Sequence, residues 1–229
     1  PLASMVGTAI LKKGGNAFDA AIATQLTLAV VYPNAGNLGG GGFLVGQLKW
    51  GKQVAIDYRE KAPSAAHRDL YIDENGKANT EKSQLGHLAA GVPGTVAGMV
   101  EMHRKFGKLA WSELVAPSIE LAKDGVVLTE KEARGLNRNR ADFIKENPGK
   151  TYLVSLDGQE FVKGQVLKQP DLAQTLARIA QSKNKGFYAG PTADMIVEEM
   201  RKQNGLITHK DLRKYRAVWR KPLVSSYKQ

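Results

Sequence analysis

Residues 17–31, AFDAAIATQLTLAVV, have almost no polar face to turn toward water. A helix that is apolar nearly all round has to be enclosed by other elements, so this segment demands a fold packed around a central helix. It is too short for a membrane span. Its longest apolar run, residues 20–31, falls short of the roughly 18 residues that a bilayer requires, and Thr24, Gln25 and Thr27 interrupt it. Asn16 is placed to cap the N-terminus, with Asp19 at the third helical position near the positive end of the dipole. Pro33 ends the helix.

The flanking pattern supplies the enclosing elements. Leu2, Val6 and Ile10 recur every four residues beside Met5 and Ala9, one helix face stopped by Gly14 and Gly15. After the central helix, Asn34-Ala35-Gly36-Asn37-Leu38 and the glycines at 39–42 lead into two strands, residues 43–48 and 53–58. The turn Lys49-Trp50-Gly51-Lys52 between them is too short for a crossover, so the pair is antiparallel. Alternation puts Val54, Ile56 and Tyr58 on one face, with Ala55, Asp57 and Arg59 on the other. Asp73-Glu74-Asn75-Gly76-Lys77 reads as an exposed turn.

From Gly94 onward the pattern is mainly helical. Val96, Met99, Val100 and His103 mark one helix, and residues 111–123 another with Pro117 inside it. Thr129-Glu130-Lys131-Glu132 is a capping box. Pro170 stands at a first helical position, with Leu172, Leu176 and Ile179 facing inward. Residues 191–203 form a further helix closed by Asn204-Gly205, and Thr208-His209-Lys210-Asp211 opens a short last one. Residues 222–227 read as a strand. The chain then reaches Gln229 without a turn or cap, as a longer chain cut there would. These elements give an α+β fold, helices layered on a largely antiparallel sheet.

Composition narrows the function classes. A hydrophobic fraction of 42% supports a globular core. The absence of cysteine excludes a disulfide framework and thiolate metal sites. The opening Pro1-Leu2-Ala3-Ser4 is no export signal, so the protein is expected to be cytosolic or to have lost its leader. A net charge of +11 raises nucleic acid, an anionic surface or acidic small molecules as partners. The basic residues thicken at 134–140 and 209–221, but they alternate with apolar residues at helical spacing and read as solvated helix faces.

Four stretches, in order, carry a family resemblance. Ile10-Leu11-Lys12-Lys13-Gly14-Gly15-Asn16-Ala17-Phe18-Asp19-Ala20-Ala21 resembles the opening of the gamma-glutamyltransferase large subunit. Asn37-Leu38-Gly39-Gly40-Gly41-Gly42-Phe43 resembles that family's glycine-rich turn. Asp57-Tyr58-Arg59-Glu60-Lys61-Ala62-Pro63 and Gly91-Val92-Pro93-Gly94-Thr95-Val96-Ala97-Gly98 match two further segments, and the likeness continues through Gly205-Leu206-Ile207-Thr208. The resemblance implies an αββα sandwich of the N-terminal-nucleophile hydrolase type, incomplete in this chain, with a helix-rich C-terminal half. Residues 1–229 would be part of the large-subunit domain. A precursor would cleave itself before a threonine, and that threonine, at the start of the small subunit, would attack a gamma-glutamyl amide such as that of glutathione with its own amine as base. Water or an amine acceptor would resolve the acyl-enzyme. The implied partners are the small subunit and the substrate, with no cofactor, no metal and no catalytic residue in this chain, which alone is expected to be inactive. The implied location, for a bacterial member, is the periplasm or outside the cell.

Arg59 is the one substrate-binding residue that the resemblance assigns, set against the alpha-carboxylate of the glutamyl group. A guanidinium fork can hold a carboxylate through two parallel hydrogen bonds, which lysine cannot do. The other reading is a strand-end arginine paired with Asp57 or Glu60. Those two carboxylates could do acid–base work, but are expected instead to orient Arg59. The glycines at 39–42 lack the Lys-Ser or Lys-Thr of a phosphate-binding loop, Phe43 standing there instead, so they imply a tight bend or a close backbone approach. Thr208 reads as a helix cap rather than a nucleophile beside His209. His67, His87 and His103 show no ligand spacing. Trp111, Tyr152, Phe161 and Tyr188 are too dispersed for a base-stacking platform. Rival readings are a cephalosporin-acylase-like amidase of the same superfamily, a family member that only binds, and a basic nucleic-acid-binding module, for which no docking motif stands in the sequence.

Overall fold

The computed structural model describes residues 1–147, 151–155 and 158–228. In chain order its elements are α1 (Leu2–Lys12), α2 (Ala17–Val31), β1 (Phe43–Gln47), β2 (Gln53–Asp57), α3 (Thr80–Gln84), α4 (Thr95–Phe106), α5 (Trp111–Asp124), β3 (Val126–Val127), α6 (Glu130–Arg138), α7 (Arg140–Glu146), β4 (Val166–Leu167), α8 (Pro170–Ser182), α9 (Lys185–Tyr188), α10 (Gly190–Lys202), α11 (His209–Lys214) and β5 (Val218–Arg220). They gather into two compact units. One joins Pro1–Gly36 to Gly107–Gln181, and the other joins Asn37–Phe106 to Ser182–Gln229. Among the described residues no helix is long and apolar enough to cross a membrane.

The first unit is built on α2, which packs between α1 and α5. Ile22, Ala23 and Leu26 are wholly buried, while Ala17 and Ala21 reach the surface. The polar interruptions are internally satisfied: Thr27 donates to the Ala23 carbonyl at 2.8 Å and shares a 3.2 Å hydrogen bond with Ser118 of α5. The N-terminus closes as a capping box. Asn16 Oδ1 accepts from the amides of Phe18 and Asp19, and Asp19 Oδ2 accepts from the Asn16 amide at 3.0 Å. Asp19 does more than its sequence position discloses. Its wholly buried carboxylate also accepts from the amides of Lys108 and Leu109, at 3.0 and 3.3 Å, which ties the approach to α5 onto the start of α2. Trp111 donates to the Ile179 carbonyl at 2.9 Å, fastening α5 to α8. A smaller core of Leu128, Ala133, Leu136, Phe161 and Leu167 gathers beside the β3–β4 ribbon.

In the second unit β1, β2 and β5 form an antiparallel sheet in that order. The hairpin is antiparallel as expected, with Phe43 opposite Asp57 and Gln47 opposite Gln53, and Val54, Ile56 and Tyr58 are buried as their alternation requires. The exposed turn at Asp73 and the caps at Thr129 and Thr208 also form where the sequence places them. The last strand does not. It lies at Val218–Arg220, pairing with Ala55, Ile56 and Asp57, and residues 222–227 have no regular structure. Continuing this register would set Pro222 opposite Gln53, and proline has no N–H to give a ladder. The strandlike pattern of Leu223, Val224 and Tyr227 therefore lies exposed instead of paired. The reading of Gln229 falls outside the described residues. The short helices α3 and α9 span too few turns to show a period in the sequence.

Asp19 gives the first test. Asp19→Ala strips acceptors from buried amides and removes half of the capping box, so unfolding should become easier by roughly 2–4 kcal/mol in denaturant titration. A loss below about 1 kcal/mol would show that water replaces the carboxylate there.

Candidate functional site

Arg59 lies just past the end of β2, in a short span fixed at both sides. On one side Tyr58 and Gly42 exchange backbone hydrogen bonds, at 2.9 and 3.3 Å; on the other Lys61 and Val92 do the same, at 3.1 and 2.7 Å. Between these ladders the backbone is held by side chains. The Arg59 amide donates to Asp57 Oδ1 at 3.1 Å, and the Arg59 carbonyl accepts from the Tyr215 hydroxyl at 2.6 Å.

The glycine run explains how this span packs. A Cβ on Gly41 would stand 2.6 Å from the Tyr58 carbonyl oxygen, 2.7 Å from the Glu60 nitrogen and 2.8 Å from the Arg59 Cα. A Cβ on Gly42 would meet the Tyr58 ring at 2.9 Å, and side chains on Gly94 and Gly98 would also run into Tyr58. The requirement at 41 and 42 is close approach rather than a left-handed conformation, since neither has a positive φ. The Gly40 carbonyl accepts from the amides of Gly94 and Thr95, and Asn37 Oδ1 accepts from the Gly40 amide and the Thr95 hydroxyl. The first turn of α4, the glycine turn and the Arg59 span thus form one backbone cluster.

The two carboxylates meet Arg59 in different ways, Asp57 at its backbone and Glu60 as a long ion pair with its side chain. Asp57 is not the ion-pair partner of Arg59. Its Oδ2 accepts from Arg220 of β5 at 2.9 Å, and its Oδ1 serves the Arg59 backbone. The Arg59 amide first, and then the Arg220 guanidinium, hold the Asp57 carboxyl below the usual carboxylate range, so it is an anion at neutral pH and no proton donor. Glu60 Oε2 stands 3.7 Å from Arg59 Nε, beyond a good hydrogen bond, and the Arg59 side chain is 64% exposed. Its Cζ lies 5.8 Å from the ring centroid of Phe43, which is itself exposed. A planar cation presented this way can take a carboxylate bidentately.

The other candidates take structural places. Thr208 caps α11, its hydroxyl donating to Asp211 at 2.6 Å, and His209 pairs with Asp194 at 2.8 Å. His87 meets Glu199 at 3.2 Å, and His67 is exposed. Trp111, Phe161 and Tyr188 are core residues. No group of three or more His, Asp or Glu converges as metal ligands among the described residues. A cavity of about 620 Å³ in the first unit is lined by Lys131, Arg134 and Arg138 with Glu160 among them; Arg59 is not part of it. Sequence reasoning missed Arg220 and Tyr215. Arg220 reaches Asp57 only because β5 pairs with β2, a long-range pairing that no local pattern announces. Tyr215 left no local signal.

This arrangement is α+β, and it defines a portion of a protein of the αββα N-terminal-nucleophile hydrolase class. The model of the gamma-glutamyltranspeptidase family matches residues 3–229, and the chain belongs to that family. It is 47% identical over 218 residues to a glutathione hydrolase proenzyme of Pseudomonas aeruginosa, covering 95% of this chain and 38% of that protein. It superposes on the crystal structure of Helicobacter pylori gamma-glutamyltranspeptidase with a TM-score of 0.96 and 45% identity, over 99% of this chain and 65% of that one. A cephalosporin acylase from Bacillus halodurans superposes with a TM-score of 0.84 at 29% identity, over 99% of this chain and 43% of the acylase chain. The chain therefore spans about two fifths of the length of the curated relative.

The cluster predicts a local effect. Gly41→Ala should force the glycine turn from the Arg59 span and open the Tyr58–Gly42 pair. Their amides should exchange with deuterium at least tenfold faster, each 1.4 kcal/mol of lost protection being a factor of about ten. Unchanged exchange would mean that the turn has room the distances deny.

Proposed function

We propose that this chain is the large-subunit portion of an enzyme that cleaves gamma-glutamyl amides such as glutathione and passes the gamma-glutamyl group to water or to an amino acid or peptide acceptor. The match to the family over residues 3–229 carries this reading, and the glutathione hydrolase proenzyme at 47% identity supports it. The lower identity to the cephalosporin acylase, 29% against 47% to the glutathione hydrolase, supports a glutamyl over a glutaryl beta-lactam substrate. In this reading the small subunit of the same precursor brings an N-terminal threonine. Its hydroxyl oxygen bonds to the gamma-carbonyl carbon, its amine takes the proton, and the amide nitrogen leaves protonated. The acyl-enzyme is then opened by water or an amine. The proposed location, if the protein is bacterial, is the periplasm or the cell exterior.

Arg59 is proposed to hold the alpha-carboxylate of the gamma-glutamyl group. Its exposed guanidinium, on a backbone pinned on both sides, suits a ligand that has to be held at a fixed distance from the scissile amide. In the processed full-length enzyme, Arg59→Lys keeps the charge and loses the paired hydrogen bonds. KM for a chromogenic gamma-glutamyl anilide should rise roughly tenfold to a hundredfold, the equivalent of about 1.5–3 kcal/mol for a charge-assisted bond. The rise should reach kcat if the grip also aligns the amide with the threonine. Self-cleavage should survive, because no glutamate is bound during maturation. An unchanged KM and kcat would remove Arg59 from the binding site. Efficient hydrolysis of a glutaryl beta-lactam, with none of glutathione, would favour the acylase reading.

A further inference from the structure

We propose that Tyr215 is a positioning residue for Arg59, its hydroxyl fixing the Arg59 carbonyl and through it the direction in which the guanidinium is presented to substrate. The inference rests on the reading of Arg59 as the carboxylate ligand. Residues 59 and 60 lie between two backbone ladders and belong to neither, so the peptide plane joining them is not set by strand pairing. The Arg59 carbonyl is anchored by the Tyr215 hydroxyl at 2.6 Å. Releasing that oxygen lets φ and ψ of Arg59 shift together, and a change in φ reorients the bond from which the side chain springs.

Tyr215 is built to hold this oxygen still. Tyr215 is 5% exposed, and its ring stacks on Tyr188, with centroids 5.8 Å apart and planes 4° from parallel. Tyr188 is fixed in turn, donating to the Pro93 carbonyl at 2.9 Å and accepting from the Ala97 amide at 3.2 Å. Lys61 Nζ lies 5.1 Å above the Tyr215 ring centroid and donates to the Arg216 carbonyl. Gly94 has no side chain, and one there would occupy the place of the Tyr215 hydroxyl. Burial first, and then the charges of Asp57 and Glu60, push the Tyr215 hydroxyl up to about 12, so it stays a donor at any assay pH.

The test is Tyr215→Phe in the processed full-length enzyme, which keeps the ring and its stack and deletes only the oxygen. KM for the gamma-glutamyl anilide should rise roughly threefold to tenfold, as for the loss of one neutral hydrogen bond. KM for the acceptor should not move. In an Arg59→Lys background the same change should add less than about twofold, because residues acting through one contact are non-additive. An unchanged donor KM, or a full multiplicative effect in that background, would overturn the inference. If Arg59→Lys raises donor KM and Tyr215→Phe does not, the inference alone fails; if Arg59→Lys itself changes nothing, the reading of Arg59 fails. Should the phenylalanine variant not mature, 3,5-difluorotyrosine at 215 keeps the shape and acidifies the hydroxyl. Donor KM should then climb with pH as that hydroxyl ionises beside Asp57 and Glu60, whereas a profile matching wild type would overturn the proposal.

Discussion

The contact of glycine backbone with the Tyr58 backbone and ring governs the part of the molecule that carries its candidate chemistry. Gly41, Gly42, Gly94 and Gly98 come from two separate segments, and all four press on Tyr58 or its neighbours where a Cβ would collide. Because these contacts are at backbone distance, main-chain hydrogen bonds can link three segments: the glycine turn, the Arg59 span and the first turn of α4. A backbone cluster has little freedom where its peptide groups pair, as Gly40 does with Gly94 and Thr95 and Gly42 with Tyr58. Precision in the placement of Arg59 comes from there, although its side chain is largely in solvent.

Charge is distributed so that this placement leaves the guanidinium available. A strand-end arginine two residues from an aspartate would ordinarily pair with it and become structural. Here Asp57 is engaged twice, by the backbone of Arg59 and by the side chain of Arg220, which β5 brings alongside. The aspartate thereby organises the loop while its charge is balanced by a different cation. Glu60 remains near Arg59, at a distance that gives it influence without capture.

In the proposed function Arg59 would hold the substrate and could not by itself break the amide. The chain covers 38% of the glutathione hydrolase proenzyme to which it is 47% identical, and the proposed nucleophile belongs to the small subunit. The described residues add to this only a backbone span, pinned on both sides, that carries an exposed arginine. The basic surface that gives the net charge of +11 is a separate matter. Lys131, Arg134 and Arg138 recur on one side of the amphipathic α6, with Glu160 beside them, which is how solvated helix faces are commonly charged.

The sequence by itself determined the elements whose cause is local. A nearly unbroken apolar stretch and the Asn16 cap define α2, alternation and a short turn define the β1–β2 hairpin, and Thr129 and Thr208 announce their helices through side chains that bond amides three residues away. The order of the glycine and arginine motifs was likewise enough to reach the family. What the sequence could not disclose are bonds that join residues far apart along the chain. Asp19 reads as a cap and proves also to be a tether for residues 108 and 109. The strand at Val218–Arg220 was misplaced because residues 222–227 have a similar residue pattern, and only pairing against β2 shows where a proline halts the ladder. Tyr215 and Arg59 are 156 residues apart, and a hydroxyl meeting a carbonyl over that separation leaves no periodicity to read. Tertiary structure decided which cation Asp57 would keep, and so which guanidinium was left largely exposed, because that choice depends on distances set by packing rather than on residue type.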